Sequence, residues 1–431
     1  MYTTLLNTAF TPPWWLKNGL TMTVYTATWG GKNWSATTRE PEPPYKETIF
    51  TGAGGVPIYG WVAIPDNPKS TIIGTYGITG TLDNQWFLRL LGRKAFAQGY
   101  AVVLFDWRAH GKTAQLSPTL TSDGLYEGED FVCIAAQAKT LGCPGKYWFT
   151  GFSLGGQLAL WAVKASQDVI STAGGQGGRG VQEKTQSKIQ IPKPPKESLA
   201  GTPLPEGAHK GAHGGGSPNR HRTRLLRSVG EPAQRTGSTF RKIQNSLAPH
   251  PSPLTPEEIG GAAVICPSLD SIRSLSYLVK DPWGKYLEQA IAKGLKQLAW
   301  KIYAAHREAI DPAAIERANS IWGFDQELVI GRLGFDSVEA YYEASSGLHL
   351  LPNLEKPTLI IYAADDPLFD PTIIPDLRAS SDRNPNIDLI LTGYGGHVGY
   401  LASKACQESM GDPDPWWAWN RVLEWIESHQ S

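Results

Sequence analysis

The run Gly151-Phe152-Ser153-Leu154-Gly155-Gly156 sets a serine among glycines where an apolar, aromatic stretch gives way to a helix-forming one. Such flanking glycines permit a turn too tight for larger residues, and that turn exposes the hydroxyl at a strand end in a strained conformation. A hydroxyl so placed can attack a carbonyl carbon once a base takes its proton. Of the nine histidines, His209, His213, His221 and His250 fall in a Gly- and Pro-rich stretch. His306 and His349 fall in a helical block, His429 is C-terminal, and His110 follows an early strand. His397 remains, in Gly393-Tyr394-Gly395-Gly396-His397-Val398-Gly399, directly after an apolar run. A carboxylate must fix the imidazole tautomer and stabilise its protonated form. Ala364-Asp365-Asp366-Pro367 supplies it: Asp366, immediately before the proline, is the expected acid, with Asp365 and then Asp370 as alternatives. The developing oxyanion needs two backbone donors. Leu154, next to the serine, gives one, and Tyr76-Gly77-Ile78-Thr79-Gly80 gives the other, assigned to Ile78.

These residues must be held by strands that end at a common edge. The chain alternates strand-like and helix-like segments, the pattern of an α/β sheet covered by helices. Residues 48–50 and 58–64 read as an opening antiparallel pair, 71–76 as a strand, 86–98 as an amphipathic helix stopped by Gly99, and 100–107 as a strand buried on both faces. A helix over 127–141, a strand over 146–152 and a small-residue helix over 154–165 follow. From 171 to 250 the composition changes. Gly and Pro make up 21 of 80 residues, Leu, Ile, Val and Phe only 11, and Phe240 is the sole aromatic, so this stretch is expected to be a disordered insertion. Structure resumes at Thr255-Pro256-Glu257-Glu258, the chemistry of a capped helix start, before a buried strand over 262–266. Residues 270–353 read as a helical cap, in which Leu287, Ile291, Leu295, Leu298 and Ile302 line one face. Strands over 358–362 and 387–391 and a last helix over 416–426 close the chain. The expected organisation is an N-terminal extension (1–45) packing on the core, core segments at 46–170, 251–269 and 354–431, the insertion and the cap.

The formal net charge is zero, but it averages two unlike regions: residues 171–250 carry thirteen Lys or Arg against four acidic residues. The N-terminus shows no basic and apolar signal pattern, and no apolar stretch reaches the ~20 residues of a spanning helix. Peripheral membrane contact stays open. Cys133, Cys143, Cys266 and Cys406 are widely spaced with no CxxC pair, read as reduced thiols of a cytoplasmic protein. No P-loop, dinucleotide fingerprint or metal cluster is visible, so neither cofactor nor metal is expected, and nucleic acid is not an expected partner.

These motifs resemble one branch of the α/β-hydrolases, comprising bacterial YheT-type hydrolases, fungal medium-chain ethyl ester synthases and animal medium-chain phospholipases. The resemblance rests on Pro12-Pro13-Trp14-Trp15-Leu16-Lys17-Asn18-Gly19, Gly151 to Gly156, Asp365-Asp366-Pro367 and Gly395-Gly396-His397-Val398-Gly399, and spans nearly all of the chain outside 171–250. It implies an α/β-hydrolase fold and a triad of Ser153, His397 and one of the paired acids. The chain departs from that branch at Tyr76-Gly77, where His-Gly is usual, and at Asp106-Trp107-Arg108-Ala109-His110-Gly111, which looks like the loop of general α/β-hydrolases. The expected activity is hydrolysis of an ester or thioester with a hydrophobic acyl chain, with a small acyl ester or lipid as substrate. Transfer of the acyl group to an alcohol is the nearest alternative. A non-catalytic scaffold binding an anionic partner through His221-Arg222-Thr223-Arg224-Leu225-Leu226-Arg227 is the remaining one.

Overall fold

The computed structural model describes residues 9–174, 252–280 and 282–430. Its framework is an eight-stranded sheet built from β1 (Lys46–Thr51), β2 (Pro57–Ala63), β3 (Thr71–Thr75), β4 (Ala101–Phe105), β5 (Tyr147–Phe152), β6 (Ile259–Ile265), β7 (Thr358–Ala363) and β8 (Ile387–Thr392). The spatial order is β1-β2-β4-β3-β5-β6-β7-β8. Only β2 runs against the rest, pairing antiparallel with β1 and β4, and every other pairing is parallel. The five strands β3 to β7 are buried along their whole length, which is why they read as continuous apolar runs, whereas the edge strand β1 is mostly exposed.

Helices cover both faces. In the N-terminal part these are α1 (Gly19–Tyr25), α2 (Gly31–Thr37), α3 (Trp86–Ala97), the single turn α4 (Thr113–Leu116), α5 (Glu127–Thr140) and α6 (Leu154–Gly174). Two tryptophans of the C-terminal segment pack against Trp86 of α3. Trp416, Trp417 and Trp419, at the start of the last helix (Trp417–Ser428), are fully buried, and Trp86 sits 4.8 Å from Trp416. Between β6 and β7 lie the helices Ser271–Leu278, Pro282–Ala305, Pro312–Arg317, Ile321–Phe324, Ile330–Leu333 and Val338–Ser345, which hold their own apolar cluster around Leu295, Leu298, Ile302 and Ile315.

Three details differ from the sequence-based expectation. α6 runs to Gly174 rather than ending near Ala165, because nothing between Ser166 and Ala173 breaks a helix before the first glycine pair. The Thr255 cap leads into one 3₁₀ turn (Pro256–Glu258) instead of a longer helix, with the Glu258 carboxylate accepting the Thr255 N–H at 2.8 Å. The N-terminal extension, to which the sequence assigned no element, forms α1 and α2 and buries Phe10, Leu16, Met22 and Trp34 against the core. Most of the insertion expected at 171–250, its residues 175–250, lies outside the described residues.

Candidate active site

Parallel pairing brings the carboxyl ends of β3, β5, β6, β7 and β8 to one edge, and the predicted site residues stand on the loops that leave it. Ser153 follows β5 in the left-handed region, at φ 54°. The elbow requires its glycines. A Cβ at Gly151 would lie 2.0 Å from the Gly155 carbonyl oxygen, and one at Gly155 would lie 2.4 Å from that of Tyr76. Ser153 Oγ makes no hydrogen bond among the described residues, and contacts of this kind commonly tighten only when substrate binds.

His397 and Asp366 come together after β8 and β7. His397 Nδ1 lies 2.8 Å from Asp366 Oδ2, with the acid buried and the imidazole only 12% exposed. The second Asp366 oxygen accepts the Leu368 N–H at 2.9 Å. The neighbouring carboxylates do other work. Asp365 turns away from the imidazole and accepts the Gly396 N–H at 2.9 Å, while burial pushes its pKa up to about 6. Asp370 accepts the Thr372 N–H and lies 3.8 Å from Lys280. Cys266, at the end of β6, is buried beneath the pair with its sulfur within 4.8 Å of the ligand atoms of both; the carboxylate and imidazole already occupy each other.

Two supports of this site lie in or next to segments quoted above, but the sequence assigned neither a role. From α1, the Thr23 hydroxyl accepts the His397 N–H at 2.8 Å and donates to the Gly19 carbonyl at 2.7 Å. Gly19 itself lies flush against the acid loop, where a Cβ would fall 1.7 Å from the Asp365 carbonyl oxygen. The motif Trp14 to Gly19 thus leads into a helix that packs on the loops bearing Asp365 and His397. The second support is His110, set aside above as a residue of an early loop. It is buried in the cavity wall, stacked 3.6 Å from Trp107, and its Nε2 accepts the Thr79 N–H at 3.0 Å while Nδ1 faces the Arg108 carbonyl at 2.9 Å. Burial pulls its pKa down to about 3, so the ring is neutral, with Nδ1 the protonated nitrogen.

His110 thereby fixes the loop after β3. Thr79 is held in the left-handed region at φ 64°, and the N–H groups of Ile78 and Leu154 find no acceptor among the described residues. Both residues line the cavity that contains Ser153 and His397. Tyr76, standing where the resembled branch has His, donates its hydroxyl to Asp106, which also accepts the N–H groups of Leu82 and Lys112. The departure in sequence therefore serves to tie the loops after β3 and β4 together.

The cavity measures about 330 Å³ and is mostly apolar, walled by Trp107, Leu275, Leu278, Ile291, Leu295 and Phe324 among others. Leu298, expected above on the same helical face, packs instead into the cluster within the cap. Two buried acids interrupt the apolar lining. Asp123 has its pKa pushed up to about 7 by burial and then by the charge of Glu127, and Asp325 is raised by burial and then by Asp123, with Tyr342 donating a hydrogen bond to it. Neither pairs with a cation among the described residues. A carboxyl raised in the folded chain is favoured in its neutral form, so its contribution is present at low pH and is lost as pH climbs from about 4 through about 7. The melting temperature should accordingly fall between pH 5 and pH 8. Asp123→Asn should shrink that fall by a few degrees, because the amide keeps the shape without the charge; an unchanged pH dependence in differential scanning calorimetry would contradict the burial of this acid.

No family model matches the sequence. Among curated proteins, "Putative esterase slr0264" of Synechocystis sp. is 45% identical over 419 residues, covering 97% of this chain and 94% of that one. "Putative esterase YheT" of Escherichia coli is 28% identical over 39% of this chain and 47% of its own length. "Phospholipase ABHD3" of Mus musculus is 34% identical over 22% of each chain. Among solved structures, a Pyrococcus furiosus esterase overlays with a TM-score of 0.45 at 16% identity, over 91% of this chain and 99% of that one, too distant to bear on the site. No helix of the described residues is long and apolar enough to cross a membrane.

Proposed function

The chain belongs to the YheT-like branch of the α/β-hydrolases, the family that includes slr0264, and on that premise we propose that it hydrolyses carboxylic esters of hydrophobic acyl chains through an acyl-enzyme on Ser153. The observation that carries this reading is the 2.8 Å pairing of His397 with Asp366 on the wall of the cavity that also holds Ser153 and two unengaged N–H groups. In the first step Ser153 Oγ bonds to the ester carbonyl carbon and His397 Nε2 takes the hydroxyl proton. The carbonyl oxygen gains the charge and is held by the N–H groups of Ile78 and Leu154. Collapse breaks the bond to the alcohol oxygen, which receives the proton from His397, and water then repeats the sequence to release the acid. Asp366 keeps Nδ1 protonated throughout, so Nε2 is the nitrogen free to act. With Thr79 held by a neutral His110, the Ile78 N–H has no acceptor among the described residues and is left for the oxyanion.

The test is labelling with a fluorophosphonate, competed by p-nitrophenyl esters of graded acyl length. A single adduct on the peptide bearing Ser153 is expected, and an adduct elsewhere would overturn the assignment. Apolar pockets discriminate by at most ~1–3 kcal/mol per methylene, so preference across the ester series should be graded rather than absolute. Ile291→Ala and Leu295→Ala enlarge the lining and should move the optimum toward longer chains, whereas Leu298→Ala, away from the cavity, should leave it in place. Equal turnover of all chain lengths by wild type and variants would count against an acyl pocket.

A further inference from the structure

The wall of the cavity that holds Ser153 also holds Asp123 and Asp325, and no positive charge answers them among the described residues. Around Asp123 stand Glu127, Asp325 and the hydroxyls of Thr121 and Tyr341. Around Asp325 stand Asp123 and the Tyr342 hydroxyl, with Glu288 beyond. All of these are acidic or neutral. The histidines of the same wall supply no cation either, since His110 is neutral and His397 is turned to Asp366.

Two buried carboxyls can share a proton in place of a cation, so the acids alone do not define a ligand. A third group does. Ser271, Ser274, Leu275 and Leu278 all line the cavity, and their spacing turns one face of the helix Ser271–Leu278 toward it. Ser274 stands within that face, only 5% exposed, and its hydroxyl makes no hydrogen bond. A helical serine ordinarily satisfies itself on the carbonyl one turn back. An unpaired buried hydroxyl is unfavourable in the empty cavity, and a ligand that pairs with it removes that penalty.

The three groups are held in one part of the molecule by contacts that also reach the nucleophile. The helix Ser271–Leu278 packs on Val338–Ser345, which bears Tyr342, the donor to Asp325. Gln157, one turn along α6 from Ser153, donates through Nε2 to the Asp123 carbonyl at 2.7 Å and to the Ser345 carbonyl at 3.0 Å. What the groups share is the capacity to accept. An ammonium carries three donors, no acceptor and the missing charge, whereas a neutral hydroxyl brings one donor and leaves the carboxylates uncompensated.

We propose that Asp123, Asp325 and Ser274 form a subsite for a protonated primary amine, and that the esters this cavity selects carry one on their apolar portion. The selection of esters rests on the reading of the cavity as the ester site; the binding of the amine does not. With the subsite empty, burial and then Glu127 hold the Asp123 carboxyl at about 7, so its carboxylate is available at pH 8, and a cation beside it would draw the pKa down.

The test is isothermal titration calorimetry of the full chain at pH 8 with hexylammonium and, as the uncharged ligand of similar shape, 1-hexanol, alongside hydrolysis of p-nitrophenyl acetate. Wild type should bind hexylammonium about tenfold more tightly than hexanol. Asp325→Asn and Asp123→Asn should bind the two ligands alike, with thermal melting to show that each is folded. Ser274→Ala loses no hydrogen bond of the empty protein and so keeps the fold; it should weaken hexylammonium by about threefold and leave hexanol unchanged. Equal binding of the two ligands by wild type, or a full preference for the amine in Ser274→Ala or in a folded Asp325→Asn, would overturn the subsite. A chain that prefers the amine but hydrolyses no ester would strike the catalytic reading and leave the amine subsite standing.

Discussion

Ser153→Ala is expected to lower ester turnover by about 10⁵–10⁶ while leaving the melting temperature near that of wild type. The size of the loss follows from the mechanism proposed above: without Oγ no acyl-enzyme could form, and only the cavity and the two N–H groups would be left to assist attack by water. The fold should not notice, because the hydroxyl makes no hydrogen bond among the described residues and alanine keeps the same Cβ on the same left-handed turn. Steady-state kinetics on a soluble ester, with thermal melting as the control for folding, decides it. A variant retaining a tenth of the activity would remove Ser153 from the chemistry.

The two adjacent acids should separate sharply. Asp366→Asn is expected to cost about 10⁴ in turnover, since the amide can donate to Nδ1 and so present the imidazole in the tautomer whose Nε2 carries the proton. Asp365→Asn should cost less than tenfold. Its carboxyl faces the Gly396 N–H, not the imidazole, and burial already favours the neutral form that an amide imitates. His397→Ala should resemble Ser153→Ala. If Asp365→Asn proved the more damaging of the pair, the orienting acid would have to be reassigned.

The strands and the elbow were legible because local pattern decides them. Strands buried on both faces must be apolar throughout, and a strand-to-helix turn that brings Gly155 against the Tyr76 backbone admits only glycine. Asp366 could be preferred over Asp365 from its place before Pro367, and the geometry sets it against His397. What stayed illegible depends on pairs distant in sequence. Thr23 reaches His397 across 374 positions, and His110 reaches Thr79 across 31, as a ring whose neutrality comes wholly from burial. Nothing in the composition around Asp123 and Asp325 announces that tertiary packing places both on one apolar wall. Leu298 shows the converse: its helical spacing was read correctly, but a stripe wide enough to serve both the cavity and the cap interior does not say which leucine serves which.

The left-handed residues carry a consequence for how this chain can be improved. Thr79, Ala109, Asp123, Ser153, Cys266, Val398 and Tyr400 all have positive φ and a side chain, and all follow strands at, or border, the same edge of the sheet. Each such position costs of order 1–3 kcal/mol, most for β-branched Thr79 and Val398. The chain therefore sits below its attainable thermostability, and the shortfall is concentrated where rigidity of the reacting groups is set. Selection for heat resistance alone would be drawn to these positions and would trade rate for stability there. Durable variants are better sought on the far side of the sheet, where relief of strain and loss of function are not the same substitution.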